Sequence, residues 1–456
     1  MKQIADVVIC GAGIAGISSA YHLAINHGVK RIILVDERSP LSLTSDKSTE
    51  CYRNWWPGPG NAMVALMNRS IDLLEELADK SGNTFHLNRR GYLYMTADPD
   101  HVPIFAQNAS IPPELGAGQL RIHTGDMDDP EYLQVAYEGY ANQPTGADLF
   151  LNPDLIRQHF PYLSPSVLAA LHVRRAGWFS AQQLGRYLLD QSRLQGVKTL
   201  SGKVSNIRLK NGKVDEIILA DGRSIATKYF VNAAGPFVDQ VTKLIGVSLP
   251  VYSELHMKAA FRDDLQILPR NTPLLIWSDT QQLSWSADER QILSGEREYT
   301  WLLEEMPAGV HTRPEGGLES DIILMLWEYH TTVMEPTFPP PVDDQYPEIA
   351  LRGLATMIPG LAGYLHKIPR PILDGGYYTR TWENRPLIGP LPVDGAFVIG
   401  ALSGFGLMAA CAAGELLAAH LTHNPLPDYA PAFSIDRYND PEYLKNIEHG
   451  GHSGQL

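Results

Sequence analysis

The stretch IADVVICGAGIAGISSAYHLA, close to the start of the chain, confines the fold more than any other segment. An apolar run, Ile4 to Cys10, breaks into Gly11-x-Gly13-x-x-Gly16 and resumes with helical spacing from Ile17 to Ala24. The run reads as a buried strand and its sequel as the helix behind it. Gly11, Gly13 and Gly16 allow a tight turn and a close backbone approach, with Ile14 and Ala15 between them. A helix N-terminus presents free N–H groups and the positive end of its dipole to an anion such as a pyrophosphate. A second apolar run, RIILVDE, ends in Asp36, twenty residues past Gly16. There a carboxylate meets an adenosine ribose; Glu37 is the alternative, and Arg38 follows it. Strand, glycines, helix, strand and acid, in that order, predict a βαβ unit that binds a dinucleotide.

With 456 residues the chain buries a large core and is expected to form two domains. Its formal net charge of -14 argues against nucleic acid as the main partner. Cys10, Cys51 and Cys411 lack metal-type spacing, and three thiols in so long a chain fit a reducing compartment. Lys2 is followed by no separate apolar signal region, so a cytoplasmic location is the expectation. The longest uncharged run, FVIGALSGFGLMAACAAG, is rich in glycine and small residues and suits a buried strand–turn–helix better than a membrane span.

Between these ends the pattern predicts a polar loop at 38–54, a helix near 63–80, a strand in RGYLYMTAD and a helix over 180–195. NG and DG dipeptides in KVSNIRLKNGKVDEIILADGRSIATKYFVNAAG mark hairpins. LLIW and DIILMLWEYH read as strands, EPTFPPPVDDQYPE as a rigid connector, and IALRGLATMI as a helix.

Taken together, GAGIAG, LVDER, TSDKSTECYR, GWFSAQQLGRYLL, VNAAG and the terminal RPLIGPLP…ALSGFGLMAACAAGELLA resemble the flavin-dependent oxidoreductases of the D-amino-acid oxidase superfamily. Within it the likeness is to the glycine oxidase and sarcosine oxidase type. The terminal block discriminates, because a nicotinamide enzyme needs no second glycine-rich strand-to-helix turn near its C-terminus. Reducing a flavin puts negative charge on its pyrimidine edge, and a helix N-terminus aimed there stabilises it. Gly404, Phe405, Gly406, Leu407 and Met408 stand where the last helix begins. The resemblance implies a Rossmann-type α/β FAD-binding domain in three pieces, 1–84, 160–247 and 370–425. It further implies an α+β substrate domain on a mixed, largely antiparallel sheet, 85–159 and 248–369, and a tail, 426–456. It assigns Ala234 and Gly235 to the adenosine half and pyrophosphate, and Val204 to the adenine. Thr44, Ser45, Lys47, Ser48 and Thr49 fall on the loop that passes over the flavin. Gly376 stands where relatives place a flavin-linking cysteine, and the loop has no histidine, so FAD is expected to bind without a covalent link.

For the reaction, the resemblance offers Arg53 as the grip on a substrate carboxylate, with Arg380 and Lys258 as substitutes for a lysine that this chain replaces by Met408. It places Tyr329 and His330 on an active-site strand, the imidazole accepting or orienting the amine proton. Leu326 occupies the position of the lysine that activates dioxygen. The absence of an arginine at Tyr378 moves the comparison from glycine oxidase toward secondary amines. The expected activity is oxidation of an N-alkyl or cyclic amino acid to an imine, with dioxygen or another electron acceptor, in a chain with no membrane span that can self-associate. Oxidation of a 2-hydroxy acid or polyol phosphate, or service as a flavin subunit of a larger dehydrogenase, are the alternatives.

Overall fold

In the computed structural model, which describes residues 3–329 and 331–449, the opening apolar run forms strand Val7–Cys10 with all four side chains buried. It lies inside a six-stranded sheet ordered Lys198–Ser201, Ile32–Asp36, Val7–Cys10, Tyr229–Asn232, Ala396–Gly400, Leu387–Pro390. The first five strands run parallel and the last antiparallel. Strands covered on both faces are apolar throughout, which is why VVIC, IILVD and AFVIG stand out in the sequence.

The helix after the glycine turn spans Ile14–Tyr21 and continues into a π turn, His22–Asn26. The last long helix, Gly406–Leu421, packs against it and against Ala62–Ser81. Small residues let the first and last helices meet: a Cβ on Gly414 would lie 2.4 Å from Ser18 Oγ. One helical segment among the described residues, Ser403–Leu421, is long and apolar enough to cross a membrane, and 78% of its most apolar window is buried inside the protein. The strand–turn–helix reading of that run therefore holds.

A four-stranded sheet flanks this unit, ordered Gln3–Ile4, Ser224–Ala226, Lys213–Leu219, Val204–Lys210. Its NG hairpin turns through two left-handed residues, Asn211 at φ 51° and Gly212 at φ 76°, the geometry that matches strand twist in a two-residue turn.

The second large sheet has nine strands: Ile372–Arg380, Tyr252–Arg262, Ile322–Leu326, His311–Glu315, Leu274–Trp277, Tyr92–Thr96, Ala169–Val173, Ala147–Phe150 and Leu120–His123. All neighbours are antiparallel except Leu274–Trp277 with Tyr92–Thr96 and Leu120–His123 with Ala147–Phe150. Helix Tyr346–Met357 buries one face of this sheet against a second core.

Two boundaries differ from expectation. Strands Ala169–Val173 and Ile372–Arg380, assigned by sequence to the nucleotide unit, are built into the nine-stranded sheet. Apolar runs reveal strands but not their partners, which register alone decides. The segment after 425, the expected tail, packs onto the protein up to residue 439. Phe433 is fully buried, and Arg437 pairs with Glu383 at 2.8 Å.

Candidate active site

A single long cavity joins the two sheets. Gly13, Ile14, Ala15, Ala233, Gly235 and Pro236 wall one end, and His256, Lys258, Leu326 and Tyr378 the other. Between them stand Thr44, Ser45, Lys47, Ser48 and the turn Ile399–Leu407, apart from Phe405. At the first end the glycines are there for contact. A Cβ on Gly11 would sit 2.2 Å from Ala233 O, and one on Gly16 would sit 2.0 Å from Gly11 O. Gly11 and Gly16 thus hold strand, helix and the Tyr229–Asn232 crossover together, while Gly13 faces the cavity. The helix Ile14–Tyr21 has no side-chain cap from its own N-cap residue and no acid in its first turn.

At the end of the second strand, Asp36 accepts from Ala12 N at 2.7 Å and from Arg38 N at 2.9 Å. The carboxylate is thereby fixed beside the glycine turn. Glu37 and Arg38 are exposed, and Gly202 N donates to Asp36 O at 2.9 Å, carrying the chain past the strand end toward buried Val204. None of these residues walls the cavity. Ala234 also stands behind the wall, its N–H donating to Asn232 Oδ1 at 3.1 Å.

The polar loop contains one helical turn, Thr44–Lys47, clamped from both sides. Ser45 Oγ accepts from Ile14 N at 3.0 Å. Lys47 Nζ pairs with Asp46 at 2.8 Å and Asp374 at 3.0 Å, and Lys258 Nζ donates to Ser48 O at 3.0 Å and Asp46 O at 3.4 Å. Burial pulls the Lys258 pKa down. A Cβ on Gly376 would lie 2.9 Å from Lys47 Cβ, so a side chain there would push the loop off the strand. Thr49 lies outside the cavity; its carbonyl accepts two bonds from Arg313, at 3.0 and 2.7 Å.

At the C-terminal turn Gly404, Gly406 and Leu407 face the cavity, whereas Phe405 and Met408 do not. Phe405 meets Trp56 edge-on at 5.3 Å, and Met408 is buried in the core. Ala401 (φ 52°) and Ser403 (φ 46°) hold left-handed backbone here, a conformation costly for a residue with a Cβ, and bend the chain so that the helix begins at the cavity.

The residues fit FAD. The cavity is elongated, both helix N-termini open on it without acids, and Thr44 Oγ1 is a buried hydroxyl on its wall with no partner.

The far end is built by the face of the nine-stranded sheet. In antiparallel pairs, residues directly opposite share a face. Lys258 opposes Leu326, and Leu326 opposes His311, so the three form one row. Tyr378 opposes Glu254, and Arg380 opposes Tyr252, on the same side. His256 is the hub. Its Nδ1 lies 2.9 Å from Glu328, its Nε2 lies 3.2 Å from Arg380 Nη2 and 3.7 Å from Glu254 Oε2, and its ring stacks on Tyr378 at 3.7 Å. Arg380 Nη2 also pairs with Glu254 at 2.9 Å. Burial opposes the imidazolium, but the two carboxylates outweigh it and hold the His256 pKa above the ordinary value. Burial lifts the Glu328 carboxyl, yet His256 beside it brings the pKa below the usual range. His311, buried and bonded at Nδ1 to Gly309 O (2.7 Å), has its pKa lowered by burial.

Of the residues proposed from sequence to react, Lys258 walls the long cavity and Arg380 lines an adjoining polar chamber. Arg53 is buried with Nε donating to Trp55 O at 3.1 Å and its guanidinium over the Trp56 ring at 4.5 Å; it is not part of the cavity wall. Tyr329 does not wall the long cavity. The strand ends at Leu326, and the alternation that points Leu326 at the cavity sends Trp327 the other way. The Tyr329 ring stacks on Tyr346 at 5.7 Å and Trp301 at 5.9 Å and lines a neighbouring cavity that His256 also lines. His330 lies outside the described residues. Sequence reasoning missed Glu254, His256 and Glu328. The alternation Glu254-x-His256-x-Lys258 was the available signal, since period two puts all three on one strand face.

A family profile described as FAD dependent oxidoreductase (DAO) matches residues 6–420, and the chain belongs to that family. It is an FAD-dependent oxidoreductase. Human mitochondrial dimethylglycine dehydrogenase is 24% identical over 60% of this chain, and the match spans 28% of that longer protein. Sarcosine oxidase subunit beta of Rhodobacter capsulatus is 22% identical over 47% of this chain and 48% of its own length. Among solved structures, L-proline dehydrogenase from P. horikoshii superposes with a TM-score of 0.72 at 18% identity, covering 98% of this chain and 99% of that one. Glycine oxidase from Geobacillus kaustophilus gives 0.71 at 17% identity, with 95% and 99% covered. Both share the fold, which confirms the expected pairing of a Rossmann-type unit with a mixed-sheet domain.

Proposed function

We propose that the chain oxidises an amino acid at its C–N bond, with an N-alkyl or cyclic secondary amine as the donor. The observation that carries this reading is His256, set at the reacting end of the cofactor cavity within ion-pair distance of two carboxylates. FAD, when bound, supplies the acceptor for the hydride that leaves the substrate carbon. The chain's own residues do the rest. Tyr378 and Leu326 exclude water from the reacting end, which favours the neutral form of an amine. His256 in its neutral form takes the ammonium proton at Nδ1 or Nε2 and passes it toward Glu328. The nitrogen lone pair then closes the C=N bond as the carbon loses its hydrogen with the bonding pair. Water adds to that iminium carbon, and breaking the C–N bond gives a carbonyl compound and an amine, which stay in one ring-opened molecule when the donor is cyclic.

The names of the relatives support an amine donor: dimethylglycine, sarcosine, proline and glycine appear in them. FAD is held without a covalent bond on this reading, since Gly376 offers no nucleophile and Cys51 is buried with its thiol on Thr49 O at 3.2 Å. Acid precipitation should release all the yellow colour to the supernatant. The deciding experiment is anaerobic bleaching of the flavin with N-methyl, cyclic and primary amino acids alongside 2-hydroxy acids. Bleaching by secondary amino acids is the expected result; bleaching by hydroxy acids alone overturns the reading. A second reading concerns the electron acceptor. Leu326 puts an alkyl group where oxidases carry a cation, and its cross-strand neighbour Lys258 spends its amine on two loop carbonyls. This favours an acceptor other than dioxygen, and turnover with an artificial dye should exceed turnover with dioxygen.

A further inference from the structure

The nine-stranded sheet comes apart beside His256. Lys258 opposes Leu326, but further along the same two segments Glu254 opposes Val333, so the second segment carries extra residues between the two pairs. The ladder is propped open where it first parts. Tyr346, at the start of helix Tyr346–Met357, donates its hydroxyl to Met257 O at 2.6 Å and accepts from Trp327 N at 2.8 Å. In the register set by Asp263 N donating to Asp321 O at 2.7 Å, those two backbone groups would otherwise bond each other. A cavity of about 240 Å³ occupies the gap, walled by Met257, Trp327, Tyr329, Met334, Val342 and Tyr346. His256 and Met257 line both this chamber and the cofactor cavity, so the two spaces meet at the reacting end. At the rim Val342 is 54% exposed.

Rings, thioethers and alkyl groups make up this wall, and its polar groups are engaged. Glu328 is matched by His256, whose Nδ1 lies 2.9 Å away. Asp343 accepts from Gln345 N at 2.9 Å, Trp327 Nε1 donates to Pro307 O at 3.1 Å, and the Tyr346 hydroxyl bridges the parted strands. A charged tail entering here would give up water without gaining a free counter-charge. An apolar group would gain burial at no such cost. A cavity of about 150 Å³ already takes up benzene, so this larger one has room for a substituted ring or a branched chain. The side of the substrate that reaches it follows from His256. That imidazole serves the amine nitrogen while the carbon that loses its hydrogen stays over the cofactor. The chamber lies against the same imidazole, so the group that enters it is carried by the nitrogen.

We propose that this chamber takes a large apolar substituent on the substrate nitrogen, so that the donor is an N-arylalkyl or N-branched-alkyl amino acid rather than an N-methyl one. The inference rests on amine oxidation at the cofactor end. It is tested by calorimetric titration of the FAD-loaded enzyme with thioethers, which carry sulfur in place of nitrogen and cannot form an iminium ion. The ligands are (benzylthio)acetate, (methylthio)acetate and 2-(methylthio)-3-phenylpropanoate, the last with its ring moved to the carbon side. (Benzylthio)acetate should bind at least about tenfold more tightly than either of the others, because only its ring is buried in the chamber. Met334→Trp, which fills the chamber from its wall, should erase most of that margin while (methylthio)acetate binds as before. Val342→Trp should do the same from the rim, and FAD content and melting temperature report whether each variant folds. A benzyl ligand no tighter than the methyl one, tighter binding of the carbon-side phenyl ligand, no heat from any of the three, or an undiminished margin in both folded variants would each overturn the proposal. Anaerobic flavin bleaching separates this from the broader reading. Bleaching by sarcosine or proline beside a failed benzyl margin leaves amine oxidation standing, whereas no bleaching by any amine brings both down.

Discussion

The two ends of the cofactor cavity are built from different materials. At the nucleotide end the construction is backbone: Gly13 faces the cavity, Gly11 and Gly16 pack strand against helix behind it, and main-chain N–H groups fix the Asp36 carboxylate alongside. At the substrate end it is side chain, drawn from four strands and tied by charge around His256. Backbone surfaces tolerate no added atom, whereas side-chain surfaces tolerate shape changes but not changes of charge or proton affinity.

Four experiments can break or sharpen that contrast. The largest effect is expected from Gly11→Ala, because its new Cβ would lie 2.2 Å from a backbone oxygen that cannot move without shifting a central strand. FAD should be lost on desalting, with affinity down by about a hundredfold or more; retention of colour would show that the turn has slack. His256→Asn should leave FAD content unchanged and slow anaerobic flavin reduction by roughly 10²- to 10⁴-fold, the usual range for a lost general base. An equal loss of FAD would mean that the two ends are not separable.

The third experiment is pH dependence. His256 must be neutral to accept a proton, and its carboxylate neighbours raise its pKa above 6.5. The reduction rate should therefore climb with pH through a value higher than that, and Glu328→Gln should move the rising limb to lower pH. The same pairing has a stability consequence of opposite sense. A raised folded-state pKa means that the stabilisation is complete below pH 6.5 and fades as pH rises through the folded value. Lys258→Met should have the smallest effect. It removes two bonds to the loop that covers the cofactor, and FAD titration should show about a three- to tenfold weaker affinity, with loop contacts from Ser45 and Lys47 remaining.

The sequence was informative where a function is performed by consecutive residues. Gly11 to Gly16, Asp36 and the Ser403–Leu407 turn each lie within one short segment, and their spacing carries their geometry. It was less informative where residues meet across strands. His256 comes near Glu328 only because Lys258 pairs with Leu326, a register that no local pattern records. Tyr329 shows the converse: a resemblance carried it into the site, and three residues past the strand end its ring stacks on Tyr346 rather than walling the long cavity. The boundaries of the two units blurred for the same reason, since nothing within ILDGGYYTR says which sheet Ile372–Arg380 joins.

Read as a string, the chain determined that it would clasp a dinucleotide between its first and last helices, because backbone turns and helix starts are specified by the residues within them. Only the tertiary structure decided which charges surround the substrate. Cross-strand register brings Glu254, His256, Glu328 and Arg380 together from three separate segments, and electrostatic environment depends on distance through space rather than along the chain.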